Sequence, residues 1–327
     1  MIKLPSFLPH PALKGGQMQT IGGYVLSRVA PISADEIIWI DVDDGDQLAL
    51  EVNQPQNSAR GVVILMHGLG GCSESPYILR LTGKLLAEDW IVVRLNHRGC
   101  GRHANSVQKL YHSGSTADVW AVLQRVSARW PDLPMVPIAF SLSGTILLNL
   151  LGQEFRTCEQ LGNWPLSIAV CAPIDLEMSS RQISHWSNLH YSHFFCQLLL
   201  HHARRKYPAI YQEAVTAKAQ KVWSLRQFDE VITAPYAGFH DRADYYKRCS
   251  PRFSVSQIRK PTIILAADDD PIVPGETVAN APYSRYVDLH LQDSGGHLGF
   301  VAARRTSCGD YRWMDDAVTL ICRSITE

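Results

Sequence analysis

One serine most limits how this chain can fold. It lies between an apolar run typical of a strand and a leucine-rich run typical of a helix. Residues 136–145 read V-P-I-A-F-S-L-S-G-T, and I-L-L-N-L-L continues from Ile146. The run before Ser141 has the length of a buried strand, whereas the run after it is too long for a second one. A sharp strand-to-helix turn here would lift the Ser141 hydroxyl above a sheet, as in a nucleophile elbow.

Such an elbow needs small residues two positions before and two positions after the serine. Ala139 and Ser143 meet that requirement, although glycine is usual at both positions, and Gly144 follows. The alternative is an ordinary buried strand that turns into a helix with a capping serine. That arrangement would need no histidine or acid elsewhere in the chain, so the remaining sequence decides between the two interpretations.

Strand and helix signals alternate along most of the 327 residues. Two apolar runs joined by D-D-G-D predict an opening hairpin, at 36–42 and 47–52. Further strands are predicted at 62–66, 90–95, 135–140, 166–171, 262–267 and 286–291. Helices are predicted at 75–86, 115–130 and 311–325. The alternation predicts an α/β fold with a mostly parallel sheet flanked by helices on both faces.

The pattern changes between Asp175 and Ser250. This stretch is rich in His, Tyr, Trp and Arg, and it is typical of helical insertions. In an open α/β sheet such insertions lie above the carboxyl ends of the strands, where ligands bind. No stretch of the chain requires a linker, so we expect one domain over 1–327 with a cap at approximately 175–250.

A serine hydroxyl becomes a good nucleophile when a histidine accepts its proton and an acid orients that histidine. Asp270 follows the predicted strand 262–267 in A-A-D-D-D-P-I-V-P, and His297 follows the last strand in D-S-G-G-H-L-G-F. The order Ser, Asp, His is the order found in α/β-hydrolases. Asp270 is preferred because it directly precedes a proline, and Asp269 is the runner-up.

Composition excludes several classes of function. Lys plus Arg equals Asp plus Glu at 31 each, so the chain has no net charge that would attract nucleic acid or an anionic membrane. The N-terminal segment lacks an apolar core of signal length, and no stretch reaches the roughly 18 apolar residues of a membrane span. We therefore expect a cytoplasmic protein without stable membrane insertion. Its oligomeric state is not indicated.

Cysteine and histidine spacing argues against a metal site or a disulfide framework. The eight cysteines lack paired C-x-x-C spacing, which favours reduced and mostly buried thiols. Five histidines cluster without a known metal-binding spacing, at His185, His190, His193, His201 and His202. We expect no metal and no cofactor.

Motifs spread over nearly the whole chain resemble the YheT-like branch of the α/β-hydrolase superfamily, which is related to abhydrolase-domain esterases and yeast medium-chain fatty-acid ethyl-ester synthases. The matching pieces are G-G-Q-M-Q-T, H-G-L-G-G-C-S-E-S-P-Y, N-H-R-G-C-G, Y-H-S-G-S-T-A-D, the elbow, F-D-E, T-A-P-Y-A-G-F, D-Y-Y, the D-D-P loop and G-G-H-L-G-F. The resemblance implies an α/β-hydrolase fold and a serine hydrolase of carboxylic esters. It also implies a catalytic triad of Ser141, Asp270 and His297.

An oxyanion hole requires two hydrogen-bond donors, which we assign to the backbone N–H groups of Leu69 and Leu142. His67 is expected to orient the H-G-L-G-G turn, and Arg98 is expected to pin a loop. At the elbow, the family usually has glycine at the position of Ser143. We expect Ser143→Gly to be tolerated and to raise turnover. The alternative is that the Ser143 hydroxyl bonds to the backbone of the H-G-L-G-G turn and holds the oxyanion hole in shape.

Three functions are compatible with these residues. The preferred one is a carboxylesterase for short- or medium-chain acyl esters, with a small-molecule ester as substrate. The second is an acyltransferase, in which an alcohol instead of water intercepts the acyl-enzyme. The third is a hydrolase-fold binding protein without turnover, which the presence of Ser141, Asp270 and His297 disfavours.

Overall fold

The computed structural model describes residues 2–42, 45–103, 107–218 and 222–326. Its centre is an eight-stranded sheet in the order β1-β2-β4-β3-β5-β6-β7-β8. The strands are β1 Glu36–Asp41, β2 Gln47–Asn53, β3 Gly61–Met66, β4 Trp90–Asn96, β5 Met135–Phe140, β6 Ser167–Val170, β7 Thr262–Ala267 and β8 Val287–Gln292. Every predicted strand is present to within two residues at either end.

Most neighbouring strands run parallel. From β4 through β3, β5, β6 and β7 to β8 all pairings are parallel, and β2 alone runs against both of its neighbours. The predicted D-D-G-D turn falls between β1 and β2, and its first two residues, Asp43 and Asp44, lie outside the described residues. The carboxyl ends of the six parallel strands therefore meet at one edge of the sheet.

Helices cover both faces of the sheet. The bounds are α1 Gly15–Val25, α2 Pro76–Ala87, α3 Thr116–Arg129, α4 Leu142–Gln153, α5 Phe155–Cys158, α12 Gly275–Ala279 and α13 Trp313–Thr326. In β3, Val62 and Ile64 join the apolar cluster that includes α3 and α4, whereas Val63 joins the cluster that includes α2 and α13. A strand that is buried on both faces has no polar side, which explains the continuous apolar run in the sequence.

Several helices, from three to 18 residues long, lie between β6 and β7. They are α6 Leu176–Ser184, α7 Leu189–Lys206, α8 Pro208–Lys218, α9 Leu225–Phe228, α10 Ala234–Tyr236 and α11 Arg242–Cys249, with a π-helical turn at Asp229–Thr233. They have their own apolar clusters, one centred on Cys196 and Ile232 and one on Tyr245. These helices lie within residues 176–249, and their role as a cap stays a prediction.

The α/β class with a mostly parallel sheet is confirmed, but α1 was not predicted. The segment G-G-Q-M-Q-T, which the resemblance drew on, forms the first half of this helix. Two glycines at its start weaken the local helix signal, so only packing reveals it. All eight cysteines are free thiols, and six of them are buried. None of the helices in the described part of the chain is long and apolar enough to cross a membrane.

Candidate active site

Ser141 lies at the corner between β5 and α4 in a strained backbone conformation. Its φ of 51° falls where side chains other than glycine are disfavoured. The Ser141 amide donates to Val170 O at 2.8 Å, and the Thr145 amide donates to Ser141 O at 3.1 Å. A Cβ built on Gly144 would come within 2.7 Å of the Ala172 Cβ, so the turn needs a glycine there. These contacts hold the Ser141 side chain at the carboxyl edge of the sheet.

His297 lies between Ser141 and Asp270. Its Nε2 is 2.9 Å from Ser141 Oγ, and its Nδ1 is 2.8 Å from Asp270 Oδ2. The other carboxylate oxygen, Oδ1, accepts from the backbone amides of Ile272 and Val273 at 2.8 and 3.0 Å. Because both oxygens of Asp270 are engaged, its carboxylate is held facing the ring. With Nδ1 donating to Asp270, Nε2 is left free to accept the Ser141 hydroxyl proton.

The three consecutive aspartates after β7 have different partners. Asp269 Oδ1 accepts from the Gly296 amide at 2.9 Å, so it binds the loop that carries His297 instead of the imidazole itself. Asp268 faces Gly275, where an added Cβ would come within 2.2 Å of Asp268 Oδ1. The geometry thus favours Asp270 over the runner-up Asp269 as the acid that orients the histidine.

The unpredicted helix α1 supports the histidine loop. Thr20 Oγ1 accepts from the His297 amide at 2.8 Å, and Gln19 exchanges hydrogen bonds with both backbone groups of Val301. A Cβ on Gly16 would come within 1.7 Å of the Asp269 carbonyl oxygen, so only glycine fits that approach. The motif G-G-Q-M-Q-T was a signal for this role, but its contact with a segment almost 280 residues away needs the tertiary structure.

The turn that follows β3 has two amides held by tyrosines, and between them lies one that has no partner in the described part of the chain. The Gly68 amide donates to Tyr77 Oη at 2.8 Å, and the Gly70 amide donates to Tyr111 Oη at 2.8 Å. The amide of Leu69, between them, has no hydrogen-bond partner among the described residues. Two tyrosines thus hold the turn in place while the N–H of Leu69 remains available to a ligand.

The amide of Leu142, the first residue of α4, also lacks a partner within the described part of the chain. The first N–H groups of a helix have no intrahelical acceptor, and the helix dipole places partial positive charge at the same end. Leu142 directly follows Ser141, and Gly68 approaches Ser141 so closely that a Cβ on it would be 3.0 Å from the serine Cβ. Both unpartnered amides therefore belong to segments that adjoin the serine.

Ser143 connects the elbow to the same turn through a buried hydrogen-bonded chain. Its Oγ lies 2.5 Å from His67 O and 2.6 Å from His97 Nε2. The carbonyl can only accept, so the single hydroxyl proton goes to His67 O and His97 donates through Nε2. Burial lowers the pKa of His97 to about 3, and burial together with His97 lowers the pKa of His67 well below its usual value. Both rings are therefore neutral near pH 7.

His67 and Arg98 have the structural contacts predicted for them. His67 is fully buried; its Nδ1 lies 2.8 Å from Gly68 O, and its Nε2 accepts from the His97 amide at 3.3 Å. Arg98 forms a bidentate pair with Asp118 at 2.7 and 2.8 Å. These bonds secure the loops after β3 and β4.

A cavity of about 110 Å³ opens beside Ser141 and His297. Its walls come from the carboxyl edge of the sheet and from the helices between β6 and β7. Most of the lining is apolar and includes Leu69, Leu110, Ile183, Phe195, Leu199 and Phe228. A largely apolar pocket that opens onto Ser141 suits a small ligand with a hydrocarbon portion.

Potential metal ligands converge at one place in the described residues. Cys171 Sγ and the ligating atoms of Asp270 and His297 lie within 4.8 Å of one another. Burial and the neighbouring Asp270 raise the pKa of the Cys171 thiol, which disfavours the thiolate that metals bind. The histidines between 185 and 202 belong to no group of three or more such ligands in that part of the structure.

Comparison with known proteins places the chain in a family. Residues 57–297 match the family model described as serine aminopeptidase, S33. The candidate esterase YheT of Escherichia coli K12 is 31% identical over 286 residues, covering 85% of this chain and 82% of that protein. The chain belongs to the YheT-like branch of the α/β-hydrolase superfamily. This is a family of esterase and lipase type.

A second relative and a solved structure extend the comparison. Medium-chain fatty acid ethyl ester synthase/esterase 2 of Saccharomyces cerevisiae is 33% identical over 272 residues, which cover 73% of this chain and 58% of the yeast protein. An esterase of Pyrococcus furiosus has a similar structure, with a TM-score of 0.52 at 17% identity, covering 84% of this chain and 91% of the esterase. The second match shows the shared fold.

Proposed function

We propose that this chain is a serine carboxylesterase that cleaves short- or medium-chain acyl esters, with Ser141, Asp270 and His297 as its catalytic triad. The observation that carries the proposal is the pair of hydrogen bonds made by His297, at 2.9 Å to Ser141 Oγ and at 2.8 Å to Asp270 Oδ2. The apolar cavity beside Ser141 and the esterase names of the relatives support it.

In the first half of the reaction, Ser141 Oγ attacks the acyl carbonyl carbon while His297 Nε2 takes the hydroxyl proton. The carbonyl oxygen becomes an oxyanion, and the amides of Leu69 and Leu142 would donate to it. Asp270 stabilises the imidazolium. When the ester bond breaks, His297 returns the proton to the leaving alcohol, and the acyl group remains on Ser141.

In the second half, water attacks the acyl-serine and His297 again takes a proton. Collapse of the second oxyanion releases the carboxylic acid and restores the Ser141 hydroxyl. An alcohol that reaches the acyl carbonyl first would give a new ester instead of the acid. Hydrolysis and acyl transfer thus share one intermediate.

We infer that the helices between β6 and β7, within approximately 175–250, act as a cap that forms the acyl pocket. Their apolar side chains Ile183, Phe195 and Leu199 line the cavity that also contains Ser141. Burial of each additional methylene of an acyl chain is worth about 0.8 kcal/mol, so chain length should affect kcat/KM until the pocket is full.

We expect a panel of p-nitrophenyl esters of graded length to give the highest kcat/KM at short or medium chains. A fluorophosphonate probe should label a peptide that contains Ser141. Reactions with added ethanol should be analysed for acid and ethyl ester, since their ratio separates hydrolysis from transfer. If the folded protein neither turns over esters nor reacts with the probe, the binding-protein alternative is supported instead.

From sequence alone, Ser143→Gly was expected to raise turnover. The hydrogen bonds of Ser143 lead us to expect the opposite. Without the hydroxyl, His67 O loses its donor and His97 Nε2 loses its acceptor in a buried site. The turn that carries Leu69 should then be less well held. Complete loss of an oxyanion donor costs about two to three powers of ten, so we expect kcat to fall roughly tenfold to a hundredfold with little change in KM.

Ser143→Ala is the matched control, because it keeps the Cβ and removes only the hydroxyl. Both variants should lose kcat if the hydrogen bonds matter, and thermal unfolding should show that both are folded. A Ser143→Gly variant with a higher kcat than wild type, together with a Ser143→Ala variant of normal kcat, would instead support the sequence-based expectation that glycine at this position raises turnover.

A further inference from the structure

The helix α1 exposes its apolar side chains instead of burying them. In an ordinary surface helix the apolar side chains face the core and the polar ones face water. The buried positions of α1 are small or polar, namely Gly16, Gln19, Gly22 and Gly23. Its exposed side chains are apolar, and they are Met18, Ile21, Tyr24 and Val25, with Leu26 next in the chain. The helix is therefore amphipathic in the opposite sense to an ordinary one.

Close contacts fix this orientation of α1. A Cβ on Gly23 would come within 2.6 Å of the Gly299 Cα, so the helix backbone lies directly against the loop that carries His297. The fully buried Gln19 side chain bonds to both backbone groups of Val301 in the same loop. Rotation of the helix to bury Ile21 would break these contacts. Its apolar side chains therefore remain at the surface.

The helix α7 lies beside α1 and extends the exposed apolar surface. Gln17 Nε2 donates to Asn188 Oδ1, and the rings of Tyr24 and Phe194 lie 6.4 Å apart. These contacts are about 10 Å of helical rise apart in both segments, so the two helices run side by side in the same direction. Further exposed apolar side chains occur here, at Trp186, Leu189 and Phe194. Together with the exposed side chains of α1 they form what we call the α1–α7 face.

The two segments that form the α1–α7 face carry only positive charges. Acids and bases are equal in number over the whole chain, but neither residues 1–34 nor residues 182–212 contain an Asp or Glu. The same segments contain the cations Lys3, Lys14, Arg28, Arg204, Arg205 and Lys206. Burial, and after it Lys206, His201 and Arg205, lower the pKa of His202 to about 4, which indicates a positive potential near the end of α7. The neutral total therefore hides an uneven distribution of charge.

We propose that the α1–α7 face binds reversibly to the surface of an anionic phospholipid bilayer. Exposed apolar patches of this kind mark interaction sites, and tryptophan and tyrosine are suited to the depth of the lipid headgroups. A helix with one apolar face lies in the plane of the bilayer surface, and nearby Lys and Arg side chains attract anionic headgroups. A second copy of the chain fits less well, because a symmetric contact would bring the positive segments of both copies together.

The α1–α7 face adjoins the cavity that contains Ser141. Phe195 and Leu199 of α7 line that cavity, whereas Phe194 of the same helix is exposed. One helix thus has one side in the cavity and another side on the α1–α7 face. Binding to a bilayer would bring the cavity close to the lipid. The binding itself goes beyond the proposed esterase activity and does not depend on it.

The test is co-sedimentation of the full chain with vesicles of phosphatidylcholine, with and without added phosphatidylglycerol. Each Lys or Arg near an anionic surface strengthens binding about fivefold, so we expect at least tenfold stronger partitioning into the mixed vesicles. Added salt should weaken this binding, because it screens the attraction. Replacing two cations, in Arg204→Gln combined with Arg205→Gln, should remove most of the preference for phosphatidylglycerol. Partitioning into phosphatidylcholine alone should stay unchanged in that variant.

Trp186→Ser tests the apolar part of the α1–α7 face. Trp186 is 79% exposed, and the variant should partition about tenfold less into the mixed vesicles, since burial of a large apolar side chain contributes at least that factor. Trp39→Ser is the matched control, because Trp39 is 43% exposed on β1, at the opposite edge of the sheet from β8. It should partition like wild type. Thermal unfolding should show that both variants are folded.

Three results would overturn the proposal. The first is equal partitioning of wild type into the two kinds of vesicle. The second is an equal effect of Trp186→Ser and Trp39→Ser in folded proteins. The third is a wild-type dimer that binds no vesicles and that Trp186→Ser converts to a monomer in analytical ultracentrifugation, which would assign the α1–α7 face to a second copy. None of these measurements uses a substrate, so failure of the esterase proposal would be seen separately.

Discussion

Ser141→Ala is expected to lower kcat on p-nitrophenyl esters by about six powers of ten while leaving the fold intact. In serine hydrolases with this arrangement, loss of the nucleophile alone costs about as much as loss of the whole triad, because the three groups act as a unit. Alanine at position 141 removes only Oγ, and the backbone contacts of the elbow do not involve that atom. The measurement is steady-state kinetics beside thermal unfolding of both proteins.

The fluorophosphonate probe gives this prediction its control. It should label wild type and fail to label Ser141→Ala under the same conditions. Ester turnover that survives in the folded variant would place the nucleophile elsewhere and reject the proposed triad.

Asp270→Asn is expected to lower kcat by roughly four powers of ten, which is the cost of the same change in a well-studied serine protease. An amide in place of the carboxylate can donate to His297 Nδ1 and so favours the tautomer that carries its proton on Nε2. That tautomer cannot accept the Ser141 proton. The test is kcat on one ester for the variant and wild type, with the Tm of each.

Asp269→Asn is the matched control, because it makes the same chemical change one residue earlier. Asp269 accepts from the Gly296 amide, and an asparagine oxygen can still accept that bond. The fall in kcat caused by Asp269→Asn should therefore be at least a hundredfold smaller than the fall caused by Asp270→Asn. The reverse ranking would move the acid to Asp269, which was the second choice from sequence.

Much of the framework could be predicted because it depends on local patterns. Strands such as β3 and β7 are continuous apolar runs, and the hydrophobic effect leaves such runs few places other than the centre of a covered sheet. The residues proposed as catalytic could be selected because a glycine-rich loop around His297 and an aspartate before a proline follow predicted strands. Parallel strands bring their carboxyl ends to one edge, so Ser141, Asp270 and His297, which follow predicted strands, could be expected at the same edge.

Other features depend on contacts between segments that are distant in sequence. The support of His297 by Thr20 joins residues 277 positions apart, and no local pattern encodes that pairing. Ser143 is a similar case: the sequence showed a side chain where glycine is usual, but only the packed structure shows His67 O and His97 Nε2 within hydrogen-bond distance of it.

By itself, the sequence determined the α/β class, the strand order along the chain and the residues available for chemistry, because apolar periodicity and turn residues act over a few positions. The tertiary structure alone decided which buried polar groups have partners, and that the Leu69 and Leu142 amides have none among the described residues. Those properties arise from desolvation and hydrogen-bond geometry, and both are defined only once distant segments have packed together.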